Sequence, residues 1–176
     1  MNKIIENFMT KFMSQSKYND YLRKKGVKIG SGCEIYKTAK FGSEPYLVTI
    51  GNHVRINSGV QFITHDGGCW VLREHPEYKE EFNKADCFGK ITVGNNIHIG
   101  TNAVLMPGVS VGDNAIIAVG AVVTHDVASG TIVGGIPARV IESIDEYAGK
   151  MREKCVPTKG LDEDSKKRYL KEKGLF

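Results

Sequence analysis

Large apolar residues recur at every sixth position over most of this chain. Twelve positions follow the period, which pauses twice and then continues without a gap from Val93: Ile29, Ile35, Phe41, Ile50, Ile56, Phe62, Val93, Ile99, Leu105, Val111, Ile117 and Val123. A helix repeats its apolar residues every three or four positions and a half-buried strand every two, so neither fits. Three hexads, about 18 residues, instead make one coil of a triangular parallel β-helix, with one large residue per side pointing inward.

A second set of residues supports the same geometry. Four positions after the large residues come smaller or apolar ones: Val54, Val60, Ile97, Ala103, Val109, Ala115, Ala121 and Val127. Glycine, asparagine and aspartate lie between the sets, as tight corners require. The coils are expected over 29–48, 50–64, 93–110 and 111–128, with a partial fifth in TIVGGIPARVI. Phe41 and Ile50 are nine positions apart, which predicts a bulge at the SEPY corner.

A solenoid this short exposes apolar ends that need covering. Near the N-terminus Ile4, Ile5, Phe8 and Phe12 have helical spacing, and the tail segments IDEYAGKMREK and SKKRYLKEK also have the pattern of short helices. We therefore predict an all-β parallel β-helix with short N- and C-terminal helices and one extruded loop. Its expected segments are an N-terminal helical cap (1–26), the β-helix (27–141) with the loop at about 65–90, and a C-terminal helical extension (142–176).

Composition narrows the choice of partners. The net charge of +4 is modest and the basic residues lie mostly at the two ends, so nucleic-acid binding is not expected. No apolar run approaches the ~20 residues that span a bilayer, and the N-terminus lacks a signal-peptide core, so we expect a cytoplasmic protein without a membrane span. The four cysteines have no C-x-x-C spacing, which favours reduced, mostly structural thiols.

The repeat breaks inside FITHDGGCW, residues 62–70, and resumes only at Ile91. Connections longer than about 12–15 residues in a compact domain are usually functional or disordered. One alternative is an inert insertion that happens to begin with His65. The other is a catalytic site, since a histidine with its ordinary pKa near 6.5 can accept a proton from an attacking hydroxyl or amine.

The run from Val93 to Ile141 resembles the C-terminal half of the hexapeptide-repeat acyltransferases. The most specific match is G-x-P-A-R-V-I following V-V-T-x-D, and with the earlier hexads the resemblance covers residues 27–141. It is nearest to the branch of the galactoside and maltose, xenobiotic, and polysaccharide O-acetyltransferases. The resemblance implies a left-handed coil, a homotrimer with active sites between subunits, and direct transfer of acetyl from acetyl-CoA with His65 as general base.

Several cofactor-binding positions follow from the resemblance. It implies that Thr101, Val119 and Gly120 offer backbone groups to the pantetheine arm, that Thr124 lies along the same groove, and that Arg139 faces the nucleotide phosphates. His98 stands beside the pantetheine arm, where many relatives have tryptophan. His65 itself comes slightly earlier than in the sugar acetyltransferases, where proline often follows it.

The acceptor is less specified. Asp66 is expected either to orient His65 or contact the acceptor, or else to stabilise a turn; Trp70 either stacks on a sugar ring or anchors the loop; Glu44 is a further acceptor-site candidate. The leading expectation is an O-acetyltransferase acting on a sugar or polysaccharide precursor. An amino-sugar N-acetyltransferase, an antibiotic acetyltransferase and a non-catalytic scaffold are the alternatives. No metal is expected, because the zinc carbonic anhydrases built on this coil need a close histidine pair, and the sequence has none.

Overall fold

The computed structural model describes residue 10 and residues 12–176. The predicted apolar positions Ile4, Ile5 and Phe8 lie outside the described residues. The chain forms two compact units, one ending at Ile144 and the other covering Asp145–Phe176. The predicted segment boundaries at 26/27 and 141/142 remain predictions.

Short strands dominate the first unit, and short helices flank or interrupt them. The helices are α1 (Gln15–Lys24), α2 (Cys69–Leu72), α3 (Lys79–Phe82), α4 (Ile144–Lys154) and α5 (Glu163–Glu172). The strands are β1 (Lys28–Ile29), β2 (Glu34–Ile35), β3 (Val48–Ile50), β4 (Val54–Ile56), β5 (Gln61–Phe62), β6 (His65–Asp66), β7 (Cys87–Phe88), β8 (Ile91–Val93), β9 (Ile97–Ile99), β10 (Val104–Leu105), β11 (Ser110–Val111), β12 (Ile116–Ile117), β13 (Val122–Val123), β14 (Thr131–Gly135) and β15 (Ala138–Ser143).

Twelve of these strands form the three faces of a parallel β-helix. Face A contains β1, β3, β8 and β11, face B contains β2, β4, β9, β12 and β14, and face C contains β5, β10 and β13. Successive strands on a face belong to successive coils and pair in parallel, whereas β15 pairs with β14 antiparallel. We call the bends between faces corners AB, BC and CA; in the third coil they are residues 94–96, 100–103 and 106–109. The predicted fold class is confirmed.

The sixfold repeat fills the interior of the coil. Eleven of the twelve large residues are buried, with exposed fractions from 0% to 7%, and Ile29 is partly buried against the same core. All eight residues of the second set are buried as well. Burying a side chain of this size stabilises the fold by about 1.5–3 kcal/mol, so the repeat itself supplies most of the driving force.

Polar ladders hold corner AB. Asn95 Oδ1 accepts a hydrogen bond from the Asn52 backbone N–H at 2.9 Å, and Asp113 Oδ1 accepts one from the Asn95 N–H at 2.6 Å. Beside them His53 has a φ of 53° and its Nδ1 lies 2.7 Å from Asn96 Oδ1. His53 is thus a corner residue, stacked on an asparagine with the same left-handed backbone.

The structure also shows the SEPY bulge, a helix at the first coil and helices in the second unit. The SEPY segment leaves the coil through a 3-10 turn at Pro45–Leu47. At the first coil α1 buries Tyr18 and Leu22, and Asn19 Nδ2 donates to the Cys33 carbonyl at 3.0 Å. In the second unit the side chain of Asp162 caps α5 by accepting from the Ser165 N–H, and this hydrogen bond lowers the pKa of Asp162.

Candidate active site

His65 lies where the second coil ends and the chain leaves for the extruded loop. It forms β6 with Asp66, and β6 pairs antiparallel with β7, so that His65 lies opposite Phe88. The Gly89 N–H donates to the Thr64 carbonyl at 3.0 Å, which closes the base of the loop. The loop is therefore an excursion with paired ends, and His65 lies at its base on corner CA.

The imidazole of His65 has two close neighbours. Its ring centroid lies 4.8 Å from that of Phe88, with the planes tilted by 38°. Its Nε2 lies 3.6 Å from Asp86 Oδ1, which is longer than a hydrogen bond but close enough for strong attraction to an imidazolium. The side chain is 36% exposed, so the ring is supported on one side and open to a reactant on the other.

Asp86 is itself held by Arg73, which follows α2. Arg73 Nη2 donates both to Asp86 Oδ1 and to the Ala85 carbonyl, the latter at 2.6 Å. Neither Asp86 nor Arg73 was predicted from the sequence to lie beside His65. Each lies in a segment without periodicity, and only the pairing of the two loop ends brings Asp86 back to His65.

Asp66 and Trp70 lie in different local environments: Asp66 is hydrogen-bonded within a turn, and Trp70 is exposed. Asp66 Oδ1 accepts a hydrogen bond from the Gly68 N–H at 2.8 Å, so Asp66 stabilises the turn. Trp70 lies on α2 and is 76% exposed. Within the residues that the structure describes, Trp70 is not a buried anchor of the loop.

Glu44, in the first coil, contacts Thr64, the residue that precedes His65. Its Oε2 accepts hydrogen bonds from the hydroxyls of Thr64 and Ser43, both at 2.9 Å. Thr64 is 1% exposed, which makes it one of the few buried polar residues of the coil. Glu44 therefore ties the bulge of the first coil to the second coil, one residue from the imidazole.

Three of the predicted cofactor-binding residues share another edge of the coil, and a fourth lies on the face beside it. Thr101, Val119 and Gly120 form corner BC, where the Gly120 N–H donates to the Thr101 carbonyl at 2.9 Å and Val119 is exposed. His98 lies on the adjoining face B, between Arg55 and Ile116 of the neighbouring coils. Burial, and to a lesser degree the charge of Arg55, lower the pKa of His98, so its neutral form is favoured.

Thr124 lies on corner CA, the corner of His65. The parallel register aligns Phe62, Leu105 and Val123 on face C, so the residues after them stack in one column. Thr124 follows Val123 and its hydroxyl lies 2.8 Å from His125 Nδ1. His65 is thus two coils away from Thr124 along one edge of the coil.

Arg139 is exposed on β15, where its Nη1 donates to the Ala138 carbonyl at 2.8 Å. It lines a cavity of about 310 Å³ together with His125, Asp126 and apolar residues of the last coils. The side chains of His125 and Arg139 therefore line this cavity together with the carboxylate of Asp126.

The predicted site is accordingly divided between two edges of the coil. His65 and Thr124 lie on corner CA, whereas Thr101, Val119 and Gly120 lie on corner BC, across the full width of face C. In residue 10 and residues 12–176, no group of three or more histidine, cysteine, aspartate or glutamate side chains is placed to hold a metal ion. None of the helices in that part of the chain combines the length and apolar character needed to cross a membrane.

The hexad-built parallel β-helix of this chain is similar to that of known transferases. Residues 90–125 match the family model described as bacterial transferase hexapeptide (six repeats). The chain is 42% identical to protein CapG of Staphylococcus aureus over 168 residues, which cover 94% of each protein. It belongs to the family of hexapeptide-repeat transferases, and the prediction of an acyltransferase is confirmed.

Other relatives extend this finding. The chain is 35% identical to the galactoside O-acetyltransferase of Escherichia coli (strain K12) over 104 residues, or 58% of this chain and only 47% of that enzyme. A hexapeptide-repeat acetyltransferase from Vibrio cholerae, solved in complex with acetyl coenzyme A, matches with a TM-score of 0.60 and 22% identity, over 78% of this chain and 82% of that one. That structural likeness shows the fold.

Proposed function

We propose that this chain transfers an acetyl group from acetyl-CoA to a hydroxyl of a sugar or polysaccharide precursor. His65 is the general base, and one observation carries this role. The imidazole is fixed by Phe88 and Asp86 at the point where a rigid coil gives way to a loop, yet remains partly open. A base needs both a fixed position and access to the proton it removes.

Proton movement during the reaction is simple. As the acceptor oxygen attacks the thioester carbon, its proton passes to the imidazole of His65 and a tetrahedral intermediate forms. The C–S bond then breaks, and the coenzyme A thiolate takes the proton from the imidazolium and leaves as the free thiol. Such general-base assistance is typically worth about 10²- to 10⁴-fold, and alignment of the two substrates supplies much of the remainder.

The donor assignment draws on family membership and on the exposed edge residues. The galactoside O-acetyltransferase and the Vibrio cholerae acetyltransferase carry acetyl transfer in their names, and the latter binds acetyl coenzyme A. Here Thr101 and Gly120 keep backbone at corner BC close to the surface, which suits the thin pantetheine arm. The exposed guanidinium of Arg139 suits the phosphates of the nucleotide.

For the acceptor, the side chains near His65 favour a polyhydroxyl compound. Trp70 presents an exposed ring on which a sugar can stack, and the carboxylates of Asp66 and Glu44 lie in the same part of the chain. All three belong to this proposal as acceptor-site residues. Because acetyl-CoA is the donor, we place the reaction in the cytoplasm.

Division of the site between two corners favours a homotrimer. Corners CA and BC lie on different edges of one coil, roughly 10–15 Å apart across face C for strands that rise about 3.3 Å per residue. If corner CA of one subunit meets corner BC of the next, the same contact repeated three times closes a ring. His65 of one subunit then faces the pantetheine-binding edge of its neighbour.

The test is a screen of sugars, nucleotide-sugars and antibiotics with acetyl-CoA, followed by release of free thiol and mass spectrometry of the product. With an active acceptor, His65→Ala should lower kcat by about 10²- to 10⁴-fold while the coenzyme A affinity and oligomeric state are kept. The matched control is His53→Asn, because asparagine occupies the next step of that corner with nearly the same φ. This control should retain full activity.

Some outcomes would require another assignment. Full activity of His65→Ala would remove His65 as the base. Acetylation of amines with all hydroxyl acceptors unchanged would identify an N-acetyltransferase, and activity only on antibiotics would identify a xenobiotic enzyme. A chain that binds no coenzyme A and transfers nothing would be a scaffold.

A further inference from the structure

One carboxylate oxygen in the extruded loop serves two cationic partners. Asp86 Oδ1 accepts a hydrogen bond from Arg73 Nη2 and lies 3.6 Å from Nε2 of His65. Arg73 is anchored a second time by its bond to the Ala85 carbonyl at 2.6 Å. The guanidinium is therefore held by two acceptors, and the imidazole of His65 on β6 approaches one of them, Asp86 Oδ1.

The protonation state of His65 changes how Asp86 Oδ1 is shared between His65 and Arg73. A neutral imidazole attracts the carboxylate weakly, so the charge of Asp86 is then directed mainly to Arg73. An imidazolium competes with Arg73 for that oxygen, and a shift of less than 1 Å would turn the 3.6 Å approach into a charge-assisted hydrogen bond. The three side chains together can thus respond to the proton that His65 takes up.

We propose that Asp86 and Arg73 are positioning residues that set, in opposite directions, how readily His65 holds a proton. This proposal rests on the proposed role of His65 as the general base. Asp86 stabilises the imidazolium that forms as the acceptor oxygen loses its proton. The positive charge of Arg73 offsets part of the attraction between Asp86 and a protonated His65. The imidazole therefore stays neutral, and able to act as a base, before the reaction.

The other side chains near His65 are engaged by other partners. On its own strand, Asp66 is occupied by the Gly68 N–H. On the opposite strand, Cys87 pairs with Asp66 rather than with His65. From the coil below, Glu44 is bound by Thr64 and Ser43. In the part of the chain that the structure describes, Asp86 is the acidic group recorded within 4.0 Å of the imidazole nitrogens.

The experiment compares pH profiles of kcat/KM for Asp86→Asn and Arg73→Gln. Asp86→Asn should lower the plateau about three- to tenfold and move the acid limb to lower pH, because the imidazolium loses its counter-charge. Arg73→Gln should move the acid limb to higher pH by roughly half a pH unit, since both sites are partly exposed. Arg73→Lys, which keeps the charge, should restore most of the wild-type profile.

The matched control is Glu80→Gln. It removes an acidic charge from the same loop, at an exposed position of α3 that has no part in the proposed site. The acid limb should stay within about 0.2 pH units of wild type, given the weak interaction of exposed charges. If Glu80→Gln moves the limb as far as Asp86→Asn, or if Asp86→Asn and Arg73→Gln move it in the same direction, the proposal is overturned.

A second measurement does not depend on any acceptor. NMR titration of the His65 ring in the full-length protein should give a lower midpoint in Asp86→Asn and a higher one in Arg73→Gln. Opposite shifts without detectable transferase activity would leave the coupling intact and refute only the proposed function. Equal midpoints in folded variants would refute the coupling, even if the enzyme is active.

Discussion

Gly42, in the first coil, has no room for a side chain because the second coil packs directly against it. Its φ of 68° is in the left-handed region, and a Cβ at this position would lie 2.3 Å from Thr64 Oγ1. The same Thr64 hydroxyl donates to Glu44, and the next residue is His65. A single methyl group at Gly42 would therefore displace the Thr64 hydroxyl, which lies next to the proposed base His65.

We expect Gly42→Ala to lower Tm and activity together. The left-handed backbone costs roughly 1–2 kcal/mol for alanine, and displacement of a buried hydroxyl adds to it, so Tm should fall by about 4–8 °C. Differential scanning calorimetry and the thiol-release assay measure the two effects. Gly67→Ala is the control, since nothing lies within 4 Å of a Cβ there. Identical Tm values for the two variants would show that the contact with Thr64 is unimportant.

Single residues also show what the sequence can and cannot predict about the site. The position of His65 at the base of the loop was predictable, because it is where a regular pattern stops. Asp86 was not, because its approach to His65 depends on β6 pairing with β7 across a loop that carries no periodic signal. Asp66, the nearer carboxylate in sequence, is instead engaged by the adjacent backbone.

Strands of the coil were predictable for a physical reason. Each hexad places one large side chain inward, and every stacked coil repeats the same pattern, so the strands are recognisable from the local sequence. The loop differs, since α2 and α3 have four residues each and depend on contacts such as the one between Arg73 and Ala85. Local pattern alone does not encode such contacts.

His98 on β9 gives a prediction about pH. Burial and Arg55 lower its pKa from 6.5, so the unfolded chain takes up this proton at a higher pH than the folded one. The associated stability is fully present above the unfolded value and is lost as pH falls from there towards the lower folded value. Between pH 7.5 and 5.5, Tm of the wild type should decrease more than Tm of His98→Gln.

Arg55→Gln provides the intermediate case for the same experiment. It removes the smaller cause of the shift and leaves burial in place, so its Tm should depend on pH less steeply than wild type and more steeply than His98→Gln. Thermal unfolding at several pH values measures all three proteins. Parallel curves for wild type and His98→Gln would contradict the assigned environment of His98.

For the chain as a whole, the position of a residue within its coil of about 18 residues already determines the corner on which it lies. Thr101 and Gly120 precede face C and Thr124 follows it, so their separation on different edges is a consequence of the repeat. What a single sequence does not contain is the placement of a second copy. The proposed trimer supplies the missing half of the site, and it makes activity a property of pairs of subunits.

Mixed trimers test this arrangement directly. His65→Ala removes the base from corner CA, and Val119→Trp places a bulky side chain at corner BC, on an exposed position. Each variant alone should be nearly inactive. After co-expression with two tags and tandem purification, every mixed trimer has one interface with both halves intact, so activity should recover to roughly one third of wild type. If base and donor edge instead acted within one subunit, each chain would carry one defect and the mixed trimers would stay as inactive as the parent variants.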